Sequence, residues 1–296
     1  MAKIPKILHL TFGLAPPNPN LPWDLAAHVC VMSAIARIRP DHVRFYLTWE
    51  PKGPWWTLTR RHVDVVAVPP VTEVFGNPLT HPAHRADVLR LRVLLEHGGI
   101  YLDTDVFVHR DFDDLLDHDV VVGREGVGAT ARGLCNAVIL ARPDAPFLRR
   151  WYESYRSFRS RGADQFWGEH SIALPARLAE DYPAEITVLP HDAFHWPLPT
   201  EEGLAALFGP WPGYDPRSTY ANHLWASTAR RFLWDLTPGT VRRVDCAFHR
   251  WARPFLDGLA DDYGAPSLGL RLRRRLIHLR SRFLARARET TGAGRR

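Results

Sequence analysis

The stretch "THPAHRADVLRLRVLLEHGGIYLDTDV" (residues 80–106) decides the fold, because it reads as a helix, a break and a strand in immediate succession. Pro82 suits a first helical turn, apolar residues then recur at helical spacing, and Gly98 suits the helix end. A short apolar run follows the Gly-Gly break and ends in Asp103 and Asp105. The sequence therefore predicts a helix-to-strand unit that presents two carboxylates at the end of its strand.

Apolar runs rich in β-branched residues alternate with helix-like stretches along the chain. We predict strands at 6–12, 43–49, 63–69, 99–103, 119–123 and 136–142, and helices at 24–38, 82–97 and 145–160. This alternation predicts an α/β fold with a Rossmann-type, mostly parallel sheet flanked by helices. Ligands bind beyond the carboxyl ends of strands in such sheets, so residues that follow strands are candidate site residues.

The charge of the 296-residue chain is concentrated at one end. The net charge is +6, yet residues 271–296 hold ten arginines and only one acid, Glu289. That segment carries +9, and the remaining residues sum to −3, with 28 basic and 31 acidic side chains. We therefore expect no general nucleic-acid-binding surface on the main body. The predicted organisation is one domain over 1–268 and a basic tail over 269–296.

The cysteines and the hydropathy of the chain bear on its location. Cys30, Cys135 and Cys246 form no C-x-x-C pair and are odd in number, so a disulfide framework is not indicated. No apolar run approaches the roughly 18–20 residues that a membrane-spanning helix needs, and the first residues do not resemble a signal peptide. The expectation is a soluble chain in a reducing cytoplasm.

The tail has apolar residues at helical spacing with arginines around them, which predicts a basic C-terminal helix. Its apolar positions are Leu272, Leu276, Leu279, Phe283 and Ala287. Such a helix would suit peripheral binding to an anionic membrane surface, on the inner face of the membrane. It would equally suit packing on the domain with a solvated, arginine-rich outer face, and the sequence leaves both open.

The run 98–119 contains three Asp-x-Asp triplets, at 103/105, 111/113 and 117/119. The second and third flank the polar "DDLL", which predicts a solvated turn and a short helix. The first ends a buried strand, where two carboxylates repel each other unless a cation compensates them. Mg²⁺ or Mn²⁺ prefers such oxygens and is often completed by substrate phosphates. From the spacing alone, a metal–diphosphate site and a satisfied acid pair both remain open.

Asp87 and Arg90 lie three residues apart on one face of the predicted helix. They could form a surface ion pair, or a hydroxyl-binding carboxylate beside a phosphate-binding guanidinium.

"ADVLRLRVLLEHGGIYLDTDV" (86–106) resembles the signature of the DXD-containing sugar transferases of glycosyltransferase family thirty-two, a group related to the glucosylating domain of the large clostridial toxins. The shared pattern is A-D-x-x-R followed by G-G-x-Y-L-D-x-D. Three further segments, 4–13, 135–155 and 220–228, resemble the family's opening strand, a donor-contacting strand–helix pair and a closing A-x-H-x-W segment. Phe12 stands where the family usually has tryptophan.

The resemblance implies a GT-A-like fold and a retaining hexosyltransferase that uses Mn²⁺ or Mg²⁺ and a nucleotide sugar, a UDP-hexose in the first instance. The implied metal group is Asp103, Asp105 and His223, and the implied catalytic residues are Asp103, Asp105 and Arg90. The implied donor-binding residues are Phe12, Asp87, Arg90, Tyr101, Asp103, Asn136 and Trp225.

The acceptor would be a glycan, a lipid-linked sugar or another envelope component. The loops of the protein that bind it are expected at 124–134 and 190–217. The second of these is rich in Pro, Trp and Gly and is predicted to be irregular. Asp192 and Asp215 are candidates for a nucleophilic carboxylate by position only.

The sequence leaves two other functions open. A strand that ends in D-x-D also opens Mg²⁺-dependent phosphohydrolases with an aspartyl nucleophile. That class usually carries Thr or Val at the position of Phe107, and all three lysines, Lys3, Lys6 and Lys52, precede the motif here. The second alternative is a sugar- or membrane-binding protein that has lost transfer activity.

Overall fold

The computed structural model describes residues 3–210 and 219–277. Its strands are β1 (Ile7–Thr11), β2 (His42–Leu47), β3 (Asp64–Ala67), β4 (Glu73–Val74), β5 (Asn77–Pro78), β6 (Gly99–Leu102), β7 (Val106–Val108), β8 (Val120–Glu125), β9 (Gly133–Ala141), β10 (Thr187–Leu189) and β11 (Ala221–His223). Its helices are α1 (Leu25–Ile38), α2 (Pro54–Thr59), α3 (Pro82–His97), α4 (Pro146–Glu153), α5 (Leu174–Asp181), α6 (Glu201–Phe208), α7 (Arg230–Leu233), α8 (Pro238–Arg243) and α9 (Ala247–Ala252). Residues 268–277 are also helical.

The central sheet has seven strands in the order β10-β8-β9-β6-β1-β2-β3. Every pair in it is parallel except the two that β9 makes with β6 and β8, so β9 alone runs against the others. Buried apolar clusters lie on both faces of the sheet and are covered by helices. The predicted mostly parallel α/β sheet flanked by helices is confirmed.

The strand order reverses at β1. The chain winds from β1 through β2 to β3 on one side, and α3 then returns it to β6 on the other side of β1. The gap beyond the carboxyl ends of β1 and β6 is therefore a topological switch point, which is where open α/β sheets bind ligands.

Glycines make the sharp connection from α3 to β6. Pro82 occupies the first turn of α3, and Gly98 ends the helix with a φ of 61°. A Cβ atom on Gly99, where φ is 114°, would lie 2.5 Å from the carbonyl oxygen of Ile7 in β1. Only glycine tolerates both this conformation and this approach, so the Gly-Gly pair lets β6 start directly against β1.

The Pro/Trp/Gly-rich segment 190–217 was predicted to be irregular, and this prediction is wrong for part of it. Residues 201–208 form α6, whose first turn is capped by the Thr200 hydroxyl, which accepts a hydrogen bond from the Gly203 amide at 3.1 Å. The cap and the two glutamates of the first turn outweigh the flanking prolines and glycines. Residues 211–217 lie outside the described residues.

The predicted helix 145–160 is shorter than expected. The α-helix ends at Glu153 and continues as a short 3₁₀ turn over Ser154–Ser157.

A small antiparallel ladder sits beside the central sheet and matters for the site. Strand β11 pairs with β7, and its register places His223 opposite Val106, the residue after Asp105. Segments more than a hundred residues apart in the chain are thereby brought to the same end of β6.

Among the described residues, no helix combines the length and the apolar character needed to cross a bilayer. In helix 268–277, Arg274 is buried and its Nη1 lies 2.8 Å from Asp235 Oδ1. Leu272 and Leu276 are 52% and 66% exposed. The remaining predicted tail positions, Leu279, Phe283 and Ala287, lie outside the described residues.

Candidate functional site

Asp103 and Asp105 occupy a tight turn at the carboxyl end of β6. The Asp103 amide donates to the Ala137 carbonyl of β9 at 2.8 Å, and the Val106 amide donates back to the Asp103 carbonyl at 3.1 Å. The two acid side chains keep 27% and 21% of their surface exposed, although the strand before them is fully buried. Both carboxylates therefore face the opening at the switch point.

Two groups from the β11 region hold Asp105. Its Oδ2 accepts a hydrogen bond from the Ala226 amide at 2.8 Å and lies 3.2 Å from His223 Nε2. Burial raises the pKa of Asp105, but the charge of His223 and these hydrogen bonds outweigh it, so the pKa lies below its ordinary value. Asp105 is therefore ionised at neutral pH.

The pKa of Asp103 is shifted in the opposite direction and lies above its ordinary value. Burial raises its pKa, the Arg90 guanidinium opposes the rise, and the neighbouring charge of Asp105 adds to it. Two carboxylates that resist ionising together are stabilised by a cation between them.

Arg90 is buried in the floor of the site, with 3% of its surface exposed. Its Nη2 lies 3.3 Å from Asp87 Oδ1 and 3.2 Å from Asp103 Oδ1. Its Nη1 donates to the carbonyl of Asn136 at 2.5 Å, and its guanidinium lies 4.5 Å from the centre of the Tyr101 ring. Burial alone would lower the pKa of Arg90, but the carboxylates raise it above its ordinary value, so the cation is permanent. One guanidinium thus fixes two acids on different elements.

Asp87 is also held from several sides. The Asn136 side-chain amide donates to Asp87 Oδ1 at 2.7 Å, and His84 Nδ1 lies 3.3 Å from Oδ2. Burial raises the pKa of Asp87, and His84, Arg90 and Asn136 together bring it below its ordinary value. The structure therefore joins Asp87, Arg90, Asn136 and Asp103 in one network of hydrogen bonds and ion pairs.

Two predicted donor residues lie beside this network. Tyr101 is fully buried, and its hydroxyl donates to Asp103 Oδ1 at 2.8 Å and contacts Thr11 Oγ1 at 2.9 Å. Phe12 directly follows β1, and its ring meets Trp23 edge to face at 5.1 Å. Their predicted contacts with a donor stay predictions.

His223 and Trp225 pack against each other with ring centres 4.0 Å apart. Trp225 has a positive φ of 55°, is 8% exposed, and donates from Nε1 to the Pro197 carbonyl at 2.7 Å. It thereby ties the β11 region to the segment before α6. Its predicted closure over a donor is not tested by this geometry.

The site contains a compact set of metal-ligand atoms. One ligand atom from each of Asp103, Asp105 and His223 can be chosen so that all lie within 4.8 Å of one another. Two carboxylates that open towards solvent form a donor set that suits Mg²⁺ or Mn²⁺ and leaves room for phosphate oxygens. The predicted metal-binding residues are therefore brought together and fit the group expected of them.

The other two Asp-x-Asp triplets have surface roles, as predicted. Residues Asp113–Leu115 form a short 3₁₀ helix. Asp113 lies 2.6 Å from the Lys6 ammonium, and Asp119 lies 3.1 Å from that of Lys3. Both lysines are thus paired with acids other than Asp103 and Asp105.

Asp192 and Asp215 are the two acids proposed by position as candidates for a nucleophilic carboxylate. Asp192 is exposed in the 3₁₀ turn His191–Ala193, and Asp215 lies outside the described residues.

Two contacts of the site were missed from the sequence, the Ala226 amide and His84. His84 lies three residues before Asp87 on α3, so its helical spacing could have indicated the contact. No local signal marks Ala226.

A mostly parallel sheet covered by helices on both faces, with an acidic pair and a buried arginine at its switch point, belongs to the open α/β class of proteins, which bind ligands beyond the carboxyl ends of their strands. Comparison with known proteins narrows this class. A family described as "Glycosyltransferase sugar-binding region containing DXD motif" matches residues 29–122. "Glucan organizing enzyme 1" of Cryptococcus neoformans var. grubii is 34% identical over 283 residues, 88% of this chain and 72% of the relative. The chain therefore belongs to the DXD-containing glycosyltransferases.

More distant relatives match over shorter segments. "Inositol phosphoceramide mannosyltransferase 3" of Schizosaccharomyces pombe is 28% identical, with 50% of this chain and 36% of the relative covered. The solved structure of the WbbM bifunctional glycosyltransferase superposes with a TM-score of 0.49 at 10% identity, covering 87% of this chain and 50% of that one. Galactosyltransferase LgtC superposes with a TM-score of 0.42 at 15% identity, covering 86% and 98%.

Proposed function

We propose that this glycosyltransferase moves a hexose from a UDP-sugar to a glycan, lipid-linked or other envelope acceptor, with a divalent cation, Mn²⁺ or Mg²⁺, held at Asp103 and Asp105. The observation that carries the proposal is that carboxylate oxygens of Asp103 and Asp105 lie within 4.8 Å of each other at the switch point of the sheet. In this position a bound diphosphate would meet the cation on one side and the end of β1 on the other.

The chemistry follows from charge. A nucleotide diphosphate gains negative charge as its bond to the sugar breaks, and a divalent cation at this point stabilises that charge. Asp105, kept ionised by its contacts with His223 and Ala226, is the firmer carboxylate ligand. Asp103, held by Arg90 and Tyr101, has one oxygen engaged and the other oxygen left for the cation or a donor hydroxyl.

We assign binding of the transferred sugar to the network of Asp87, Arg90 and Asn136. In this proposal Asp87 contacts the sugar. Arg90 and Asn136 fix the Asp87 carboxylate through an ion pair and a hydrogen bond inside the protein. Because Arg90 also contacts Asp103, it couples the position of the sugar-binding acid to that of the metal-binding acid. Phe12, Tyr101 and Trp225 complete the proposed donor pocket.

Three finer features of the proposal rest on the resemblance of 86–106 to glycosyltransferase family thirty-two. They are membership of that family with its clostridial toxin relatives, transfer with retention of configuration, and attack from the side of the leaving group.

The proposed location is the cytoplasmic face of a membrane, with the basic tail on anionic lipid. Leu272 and Leu276 support it because they stand exposed on a helix that Arg274 anchors to the domain. An acceptor attached to lipid would then lie close to the site.

The experiment is a panel of nucleotide sugars, scored for Mn²⁺-dependent hydrolysis of the donor. We expect one UDP-hexose to be hydrolysed by the unmodified protein and hydrolysis to be lost in Asp105→Asn, which keeps an oxygen for the Ala226 amide. The matched control is Asp117→Asn, at an exposed acid of the third triplet. Hydrolysis that survives Asp105→Asn, or release of phosphate from simple phosphoesters instead, would overturn the proposal.

A further inference from the structure

A second cluster of potential ligands shares His223 with the acidic site, and its other two members, Cys135 and His195, have no part in the proposed function. One ligand atom from each of Cys135, His195 and His223 can be chosen so that all lie within 4.8 Å of one another. All three residues are buried, whereas Asp103 and Asp105 are partly open to solvent. The two clusters share His223 and differ in donor chemistry, since one offers carboxylates and the other offers a thiol and imidazoles.

One member of this cluster lacks partners. Among the residues that the structure describes, neither ring nitrogen of His195 has a hydrogen-bond partner although both are buried, while His223 interacts with the Cys135 thiol. An imidazole always carries at least one N–H or lone pair that needs a partner, and leaving such a group buried without one costs about 1–3 kcal/mol. A bound group that pairs with a His195 nitrogen would therefore stabilise this part of the protein.

Three separate elements build the cluster. Cys135 lies on β9 opposite Gly123 of β8, next to a bulge in that pairing. His195 follows the 3₁₀ turn His191–Ala193, and the His223 amide donates to the Phe194 carbonyl at 3.1 Å. A Cβ atom on Gly123 would lie 3.0 Å from His195 Cδ2, so the missing side chain at that position makes room for the imidazole.

The orientation of His223 separates the two clusters. Its Nε2 faces Asp105 Oδ2 at 3.2 Å, which leaves Nδ1 for the buried side. Metal-ligating histidines commonly donate their second N–H to a carboxylate, which fixes the ring and makes the ligating nitrogen more basic. His223 has this arrangement, with Asp105 as the carboxylate.

We propose that Cys135 Sγ, His195 and His223 Nδ1 bind a zinc ion, distinct from the cation at Asp103 and Asp105. A thiolate with two imidazoles suits Zn²⁺ and suits Mg²⁺ or Mn²⁺ poorly, and three protein ligands leave one tetrahedral position open. Binding releases two protons to solvent, the thiol proton of Cys135 and the Nδ1 proton of the charged His223. Nε2 of His223 then donates to Asp105, so His223 supports the donor-site cation through Asp105 instead of ligating it.

The test measures metal content and spectrum rather than transfer. The protein is produced in zinc-supplemented medium, treated with a chelator that strips weakly held ions, and analysed by mass spectrometry of its elements. We expect about one zinc per chain in the unmodified protein and in Cys246→Ser, which changes a buried cysteine elsewhere, and a loss of at least tenfold in Cys135→Ser and His195→Gln.

Co²⁺ titration of metal-free protein gives a second measurement. We expect a thiolate-to-cobalt charge-transfer band in the unmodified protein and in Cys246→Ser, and none in Cys135→Ser. If Cys135→Ser fails to fold, the band in the unmodified protein decides alone. Absence of both stoichiometric zinc and this band would overturn the proposal and would mean that water fills the cluster.

The variant Asp103→Asn keeps the two proposals apart. It is expected to lose Mn²⁺-dependent donor hydrolysis and to retain its zinc. A protein that holds zinc but hydrolyses no nucleotide sugar would contradict the proposed function alone, and a zinc-free protein that hydrolyses its donor would contradict the zinc site alone.

Discussion

Arg90 Nη2 lies 3.2 Å from Asp103 Oδ1, and this contact ties the middle of α3 to the end of β6. The same nitrogen lies 3.3 Å from Asp87 Oδ1, so a single buried cation compensates two acids. The signature in the sequence is therefore one electrostatic unit and not two neighbouring motifs. Removal of the Arg90 guanidinium would leave the buried Asp87 and the partly exposed Asp103 poorly compensated.

Arg90→Met should lower the free energy of unfolding by about 3 kcal/mol or more, because breaking a buried ion pair leaves an uncompensated charge. Urea denaturation measures the loss. Arg92→Met changes an exposed arginine on the same helix and should alter the free energy of unfolding by less than about 1 kcal/mol. An equal effect of the two substitutions would show that Arg90 is not the compensating charge.

Asn136→Ala should weaken donor use without unfolding the protein. The substitution removes the 2.7 Å hydrogen bond to Asp87, and a hydrogen bond to a charged group contributes about 1.5–3 kcal/mol. We expect kcat/KM for the nucleotide sugar to fall roughly tenfold to a hundredfold, mainly through KM. Steady-state kinetics of donor hydrolysis measures both constants. An unchanged KM would contradict the proposal that Asp87 binds the sugar.

The α3–β6 unit was predictable from sequence because its determinants are local. Pro82 and the Gly98-Gly99 pair act within one continuous segment, and the acids follow the strand directly. The contacts of Asp105 with His223 and Ala226 depend instead on the β7–β11 pairing, which joins distant segments. No periodicity encodes such a pairing, so only the family resemblance of 220–228 indicated His223.

The helix α6 was missed for a different reason. Composition dominated the prediction for 190–217, whereas the cap at Thr200 and the glutamates after it act on only one turn. The cluster of Cys135, His195 and His223 was missed because its members come from three unconnected elements and show no ligand spacing in the sequence.

Stability should fall as the pH drops below neutrality, and His28 should contribute to this fall. Burial lowers the pKa of His28 from 6.5 to about 4, and its Nδ1 lies 2.9 Å from Thr59 Oγ1. The unfolded chain therefore binds more protons between these two pH values, so the stabilising contribution is present above pH 6.5 and is lost as the pH falls to about 4.

The loss from this one histidine has an upper limit of about 3 kcal/mol at the acid end of the window. His28→Gln should flatten the dependence of the free energy of unfolding on pH, measured by denaturation in urea across that window. The exposed His42→Gln is the control. Identical slopes for the unmodified protein and His28→Gln would contradict the assignment.

The double substitution Leu272→Glu and Leu276→Glu should abolish binding to anionic vesicles if the tail helix lies on a membrane. Both side chains are exposed, and the added charges oppose insertion and repel anionic headgroups. Co-sedimentation at low salt with vesicles of phosphatidylcholine, with and without phosphatidylglycerol, measures it. Val244→Glu, at an exposed apolar residue elsewhere, should bind as the unmodified protein does. Absence of binding by the unmodified protein would end the membrane proposal.

The central claim is that a divalent cation at Asp103 and Asp105 holds the diphosphate of the donor, and calorimetric titration of UDP tests it most directly. With Mn²⁺ present we expect UDP to bind at least roughly tenfold more tightly than after chelation, a difference of about 1.4 kcal/mol or more, and we expect Asp105→Asn to lose this difference. Equal affinity for UDP with and without Mn²⁺ would contradict the claim.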